Sequence, residues 1–541
     1  MHPKLLPYSK KRMRFEKTNS AMSVTNHQKA SLNKTGLHEV GMANPSATIW
    51  LSELLAGYAE VEQGHDCLIA ALQLSSQKIG HGDMFIALPG MITDGRAYID
   101  QALANGAAAV LFEKIGASPL LKDSVKQDAR VIGIENLQQK LGIIAARYFG
   151  NPSKNLKMIG ITGTNGKTTT AYLIAQALEL LGIRCGYSGT IGSGFVSELQ
   201  PSELTTMDAI SIHQQLSEFS ANQAGAVSME VSSHGLEQGR ANGIDFDIAI
   251  FTNLTHDHLD YHQSMTRYGD AKQKLFEFTS LNAVVINSDD NFGRALLQLC
   301  NRRDRGLTCV SYGIKSGELQ AVELETDDQG IRFKLMFQGQ RSSQQIHSRL
   351  LGEVNVPNIL ATIGCLFAMG YAMGAIAEVI AHITVPPGRM EVFSNRPTQP
   401  AVVVDYAHTP DALERALKSL KSLCRGNLVV VFGCGGDRDQ DKRAQMGRIA
   451  QSIADRIIVT DDNPRTEPAA QIVEQIKQGL SEPITVIHDR KQAIAEAIKS
   501  SNQDDLILLA GKGHEHTQTI GNTVNPLSDR AMVAELLEEL S

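Results

Sequence analysis

Short apolar runs alternate with stretches of helical periodicity along most of the chain, and that order predicts an α/β protein. "MFIAL" and "AAAVLFE", which lie between "ATIWLSELLAG" and Gly150, predict a small first α/β domain. A second series begins near Leu156. There the run Met158-Ile159-Gly160-Ile161 precedes a helix pattern with Leu173, Ile174, Ala177, Leu178 and Leu181 on one face, and "AGAVSMEVSS", "FDIAIFTNL" and "NAVVINSD" read as further strands. "LQAVELET" and "IRFKLMF", joined by "DDQG", predict a hairpin at the end of this middle domain. After "VPPGR" the pattern restarts: "AVVVDYA", "NLVVVFG", "RIIVTDD", "ITVIHD" and "DLILLAG" are strands separated by amphipathic helices, a second doubly wound sheet. The expected boundaries are a tail over 1–43 and domains over 44–150, 151–385 and 386–541, with no fixed-period repeat.

The tail is basic, polar and without periodicity, which predicts disorder, and it has no apolar core of the kind a secretory signal needs. Met22 and Met42 are alternative starts. With 541 residues, 42% hydrophobic and 20% charged, the chain is ordinary globular material. A net charge of -7 gives no reason to expect nucleic acid as a partner. The seven cysteines form no Cys-x-x-Cys pair and no zinc spacing, which points to a reducing cytoplasm. The one long uncharged segment, between Glu353 and Glu378, is broken by Pro357, Gly364, Gly370 and Gly374 and predicts two short buried helices, not a membrane span.

The chemistry begins at "ITGTNGKTTT". Between a strand and a helix, glycines let backbone N–H groups turn inward around a phosphate, the helix N-terminus adds partial positive charge and Lys167 adds a full one. Thr168 is placed to put its hydroxyl on a magnesium ion. The spacing Gly163-x-x-Gly166-Lys167-Thr168 departs from the strict phosphate-loop pattern, which would have glycine at Ile161. Glu230, at the end of a buried strand in "SMEVSSHG", needs a cation or another partner. "NLTHDHLDYH" packs His256, Asp257, His258, Asp260 and His262 together; beside a phosphate loop, Glu230 and His258 become candidate ligands for a hard cation.

"GITGTNGKTTT", "MEVSSHGLEQGR", "TNLTHDHLDYH", "YGDAKQKLF", "NVPNILA", "PPGRMEVF", "DYAHTPDAL", "GCGGDRD", "DNPR" and "GKGHE" occur in the order found in the muramyl peptide ligases. The chain resembles that family from about residue 44 to its end. The resemblance implies a UDP-binding N-terminal α/β domain, a phosphate-loop ATPase-like central domain with a parallel sheet, and a Rossmann-like C-terminal domain. It also implies amide formation through an acyl phosphate, with ATP and Mg²⁺, joining meso-diaminopimelate to the D-glutamate of a UDP-N-acetylmuramoyl dipeptide in peptidoglycan precursor synthesis. The implied partners are those two small molecules, with no nucleic acid and no membrane insertion, and the chain is expected to act as a monomer.

By that resemblance ATP meets Gly163, Thr164, Asn165, Gly166, Lys167, Thr168 and Thr169 in the loop and Asn355, Asn358, Arg389, Asp405 and His408 beyond it. Thr168 and Glu230 hold one magnesium, and His258 with a carbamylated Lys272 holds a second; Lys167, His258 and Lys272 are the catalytic set. A lysine ammonium cannot bind a cation, which is why the carbamate makes chemical sense. The acceptor lies near Thr205, Thr206, Ser232 and Arg240, with "LTTMD" in place of the family's usual run. Of the family's Asp-Ser-Arg only Ser75 is kept, in Leu74-Ser75-Ser76. Arg438, Asp462, Asn463, Pro464, Arg465, Gly511 and Glu515 form the diaminopimelate pocket, with Arg465 facing the distal carboxylate. Two rivals remain: a folylpolyglutamate synthase, which the N-terminal domain and the C-terminal motifs oppose, and a nucleotide-gated switch that forms no bond.

Overall fold

The computed structural model describes residues 48–539, apart from 91–92, 118–120, 203, 303–305, 339–342 and 395–398; the tail expected over 1–43 lies outside the described residues. Three main sheets organise the chain. The first is parallel throughout, with Leu72–Gln73, Met84–Ala87, Ala109–Glu113 and Val131–Ile134 side by side in chain order. Helix Leu137–Tyr148 packs Leu141, Ile144 and Ala145 onto it.

The second sheet has eleven strands. Lys157–Thr162 sits in its middle, flanked in parallel by Ala226–Glu230 on one side and Ile248–Phe251 on the other. Chain order reverses at this strand, and in an open α/β sheet such a reversal leaves a crevice beyond the carboxyl ends of the strands. Helix Lys167–Leu180 buries Leu173, Ile174, Ala177 and Leu178 as the periodicity required, against helix Val356–Ala368. The uncharged segment forms two helices, Val356–Ala368 and Met373–Ile380, and among the described residues no helix is long and apolar enough to cross a membrane. The predicted hairpin is present as Leu319–Asp327 and Gly330–Phe337. It does not stand apart, because Leu319 pairs with Tyr312 and a third strand, Ser343–Ser348, extends the same sheet.

The third sheet has six strands in the order Glu391–Phe393, Ala401–Asp405, Leu506–Ala510, Leu428–Phe432, Arg456–Val459 and Thr485–Val486, parallel except for the first. Val402, Val404, Val429, Val431, Ile507 and Leu509 face one core layer, and Val403, Leu428, Val430, Phe432 and Leu508 the other, as expected when helices cover both faces. "ITVIHD" contributes only Thr485–Val486, since it forms the exposed outer edge and has a partner on one side alone.

Candidate functional site

The phosphate loop follows the strand at the point of reversal. Gly166 caps the helix with φ +84°, and a Cβ there would stand 2.5 Å from Asn358 Oδ1. Gly163 has φ +152°, and a Cβ would fall 1.9 Å from Thr252 Oγ1. Both positions therefore demand glycine for conformation and for space. Thr252 Oγ1 donates to the Asn165 carbonyl at 2.6 Å and Asn253 Oδ1 accepts from the Asn165 N–H at 2.9 Å, so the strand end Ile248–Phe251 holds the loop's shape. Asn165 Nδ2 also donates to Asp411 Oδ2 at 2.8 Å, which ties the loop to the C-terminal domain.

Two lysines meet on one carbonyl. Lys167 Nζ donates to Gly163 O and Thr164 O, both at 2.9 Å, and Lys272 Nζ reaches Gly163 O at 2.8 Å. Lys272 is buried, with its nitrogen 4.2 Å from the centre of the Tyr268 ring. Burial, and then the Lys167 charge, hold its ammonium well below the usual lysine range; burial also lowers Lys167, against the pull of Glu230 and Asp257.

Glu230 is fully buried, and the partners the sequence demanded are hydroxyls and an amide. Its carboxylate accepts from Thr168 Oγ1 at 2.9 Å, Tyr187 OH at 2.6 Å, Thr190 N at 2.8 Å and Thr190 Oγ1 at 3.1 Å. Burial and the Glu230 charge push the Tyr187 phenol well up, so it stays a donor. Arg389 Nη2 donates to Thr168 Oγ1 at 3.0 Å, its guanidinium lies 4.5 Å from the Tyr406 ring centre, and its Nε is buried without a partner. Asn358 Nδ2 donates to Asn355 Oδ1 at 3.1 Å. Asp405 accepts from the N–H groups of Met390 and Ala407, each at 2.8 Å, and His408 Nδ1 pairs with the Tyr406 carbonyl at 2.8 Å. Asn165, Gly166, Thr169, Asn358, Arg389 and His408 line one pocket between these elements.

The histidine-rich run does not act as one cluster. His256 is exposed, His262 Nε2 pairs with Ser233 Oγ at 2.9 Å, and His258 stands 3.3 Å from Asp257 in a left-handed conformation. Desolvation lowers the His258 imidazole against the opposing Asp257 carboxylate, which favours the neutral ring that can act as a ligand. Among the described residues no three His, Cys, Asp or Glu side chains gather as a metal cluster. The pair that fits a hard cation is Thr168 with Glu230, a hydroxyl and a carboxylate oxygen 2.9 Å apart and both buried.

Thr205 Oγ1 contacts Thr190 Oγ1 at 3.0 Å, Thr206 Oγ1 donates to the Glu230 carbonyl at 2.9 Å, and Ser232 Oγ accepts from Gly235 N at 3.1 Å. Arg240 is held by Gln238 Oε1 and the Thr206 carbonyl. These four lie around the same strand end as Glu230; Ser75 is apart from them, at the start of a short turn in the N-terminal domain.

A cleft of about 390 Å³ is lined by His234, Asp257 and His258 from the middle domain and by Arg438, Arg465 and Glu515 from the C-terminal domain. Asp462, Asn463 and Gly511 line it too; Pro464 does not, its carbonyl instead standing where a Cβ on Gly436 would fall. Arg465 has φ +52°, and its guanidinium donates to the Gly436 carbonyl at 2.8 Å. Among the described residues neither Arg438 nor Arg465 forms an ion pair within contact distance, although both charges bear on Asp437, and both residues line the cleft. Tyr187, Thr190, Tyr268, Asp411 and Lys512 support the site without a sequence signal; a hydroxyl or a buried ammonium shows itself only when the fold brings its partner near.

Comparison with known proteins bears on the family and the fold. Residues 68–149, 161–366 and 388–513 match the models described as "Mur ligase family, catalytic domain", "Mur ligase middle domain" and "Mur ligase, glutamate ligase domain". The chain is 46% identical over 472 residues, 87% of its length and 95% of the relative's, to the UDP-N-acetylmuramoyl-L-alanyl-D-glutamate--2,6-diaminopimelate ligase of Ectopseudomonas mendocina. It is 45% identical over 466 residues, 86% of its length and 94% of the relative's, to the protein of that name from Pseudomonas aeruginosa. A solved structure of a ligase of the same name superposes with a TM-score of 0.67 at 34% identity, covering 91% of this chain and 99% of that one. MurF from Acinetobacter baumannii, at 17% identity and a TM-score of 0.61, covers 90% of this chain and 97% of its own and shares the fold. Loop, sheets and cleft define a three-domain α/β ligase. The chain belongs to the Mur ligase family.

Proposed function

We propose that the chain adds meso-2,6-diaminopimelate to the D-glutamate carboxylate of UDP-N-acetylmuramoyl-L-alanyl-D-glutamate, with ATP converted to ADP and phosphate, in cytoplasmic peptidoglycan precursor synthesis. The observation that carries this reading is the shared cleft, in which His258, within electrostatic reach of Lys167 and Lys272, faces Arg438, Arg465 and Glu515. Residues 44–150 take the UDP end, with Ser75 the contact kept there, 151–385 take ATP and the dipeptide, and 386–541 take the amino acid. The carboxylate oxygen attacks the γ-phosphorus and ADP leaves. The amine nitrogen of diaminopimelate then attacks the acyl carbon, phosphate leaves, and the amine proton passes to solvent or a cleft base.

Two anions must approach, so positive charge from Lys167 and Arg389 does most of the work on this side. Asn355, Asn358, Asp405 and His408 hold the nucleotide beyond the loop, and Thr205, Thr206, Ser232 and Arg240 receive the peptide. Magnesium, when bound, adds charge neutralisation at the transferring phosphoryl group; Thr168, Glu230, His258 and Lys272 as its carbamate are the residues that would hold it. Phosphate release that requires both the UDP-muramoyl dipeptide and diaminopimelate, with one amide made per phosphate, tests the reading. Release without an amino acid would indicate a switch instead.

Diaminopimelate differs from lysine by a distal carboxylate. The Arg465 fork can receive it through two parallel hydrogen bonds, whereas lysine leaves the fork unpaired and brings an ammonium towards it. Arg465→Ala is expected to raise the KM for diaminopimelate at least about tenfold and to narrow the preference over lysine, with the KM for ATP unchanged. A wild-type preference for lysine would reject the specificity while leaving the ligase. Deletion of residues 1–40 is expected to leave kcat and both amino-acid and ATP KM values intact; a steady-state comparison with the full chain checks this.

A further inference from the structure

Behind the cleft wall lies a lysine that does not line it. Lys512 is fully buried, in the turn after strand Leu506–Ala510, and its Nζ donates to Glu515 Oε2 at 2.9 Å and to Asn463 Oδ1 at 3.2 Å. The Thr519 N–H also donates to Asn463 Oδ1, at 3.0 Å. Both of these groups can only donate, so the amide oxygen must face them and the Asn463 NH₂ must face the other way. There Nδ2 donates to Glu515 Oε2 at 2.9 Å. Both protein contacts on the Glu515 carboxylate therefore fall on Oε2, and among the described residues Oε1 has no protein partner. Glu515 and Asn463 both line the cleft.

We propose that Lys512 is a positioning residue for amino-acid binding, fixing Asn463 and Glu515 as an oriented pair that offers one N–H and one carboxylate oxygen to an α-amino-acid end. The proposal rests on the reading of this cleft as the amino-acid site. The pair matches the two charged groups of such an end, with Oε1 receiving the ammonium and the free Nδ2 proton directed to the carboxylate that Arg465 also meets. Without Lys512 the Asn463 amide oxygen keeps only the Thr519 N–H, and the half-buried Glu515 carboxylate loses the ammonium paired with it. A glycine-rich turn could hold the backbone alone, so the cation is not needed for the chain's path.

The test uses the full chain, ATP, the UDP-muramoyl dipeptide and diaminopimelate. Lys512→Met should raise the KM for diaminopimelate by at least about tenfold, with kcat within about threefold and the KM for ATP unchanged. Lys512→Gln, which keeps a side-chain N–H donor, should recover part of that loss. An unchanged KM, an equal loss for ATP and amino acid, or failure of both variants to fold would overturn the proposal and leave Lys512 a structural residue. A wild type inactive with diaminopimelate would sink the underlying reading; an active wild type with an indifferent Lys512→Met sinks this proposal alone.

Discussion

Replacement of Lys167 by alanine is expected to lower kcat by about a thousandfold or more while the protein stays folded. The ammonium sits on the carbonyls of Gly163 and Thr164, at the start of the helix that the loop feeds, and has no carboxylate among its hydrogen-bond partners. A cation held on two carbonyls is available to phosphate oxygens that develop charge during transfer. Stability should change little. Deleting the side chain removes a partly desolvated charge, Lys272 still donates to the Gly163 carbonyl, and the apolar face of the helix is untouched. Single-turnover phosphate release and a thermal melt on the same preparation check both halves. Activity within threefold of wild type would reject the loop as the phosphoryl-transfer site, and a collapse of the melt would reject the claim that the lysine is a functional fixture on a separately stable core.

The loop was readable in one dimension because its parts are contiguous: strand, two glycines, lysine and helix follow one another, and each has a local physical requirement. The two sheets were readable for a similar reason, since parallel strands buried on both faces appear as plain apolar runs. Reading failed where the determinant lies across the fold. Glu230 was recognised as an acid needing a partner, but Tyr187 and Thr190, which supply the donors, belong to another strand and its turn and carry no local mark. The histidine-rich run looked like a cluster because its members are close in sequence; the left-handed turn at His258 sends that ring into the cleft, while His262 turns to Ser233. Lys512 lies inside a motif that was read through its glycine and glutamate alone, since a buried ammonium is defined by partners that sequence does not display. "ITVIHD" yields only two paired residues for a different reason: pairing at a sheet edge depends on which neighbour arrives, and the apolar pattern records burial, not neighbours.

The second large effect concerns Lys272. A buried lysine 2.8 Å from a loop carbonyl, with Lys167 on the same oxygen, is a poor place for a second ammonium. Burial and the neighbouring charge favour the neutral amine, the form whose lone pair can attack CO₂; in the proposed carbamylation the N–C bond would form, one amine proton would leave, and a carbamate anion would result. The exchange would replace repulsion between two like charges with attraction between Lys167 and a carboxylate-like group, and would provide the hard oxygen that a lysine otherwise lacks. Lys272→Ala is therefore expected to cut kcat by about a thousandfold, with the fold retained because Lys167 still satisfies the Gly163 carbonyl. Short carboxylic acids or bicarbonate added to the variant should restore part of the activity, since a small anion can enter the space vacated by the side chain and return the missing oxygens, whereas chloride at equal ionic strength should not. Intact-protein mass spectrometry under CO₂ gives the complementary readout, a labile addition of one CO₂ in the wild type that is absent from Lys272→Ala. An active, nucleotide-bound enzyme whose Lys272 is unmodified would contradict the carbamate outright, and a variant that chloride rescues as well as formate would show that the site needs negative charge but no oxygen ligand.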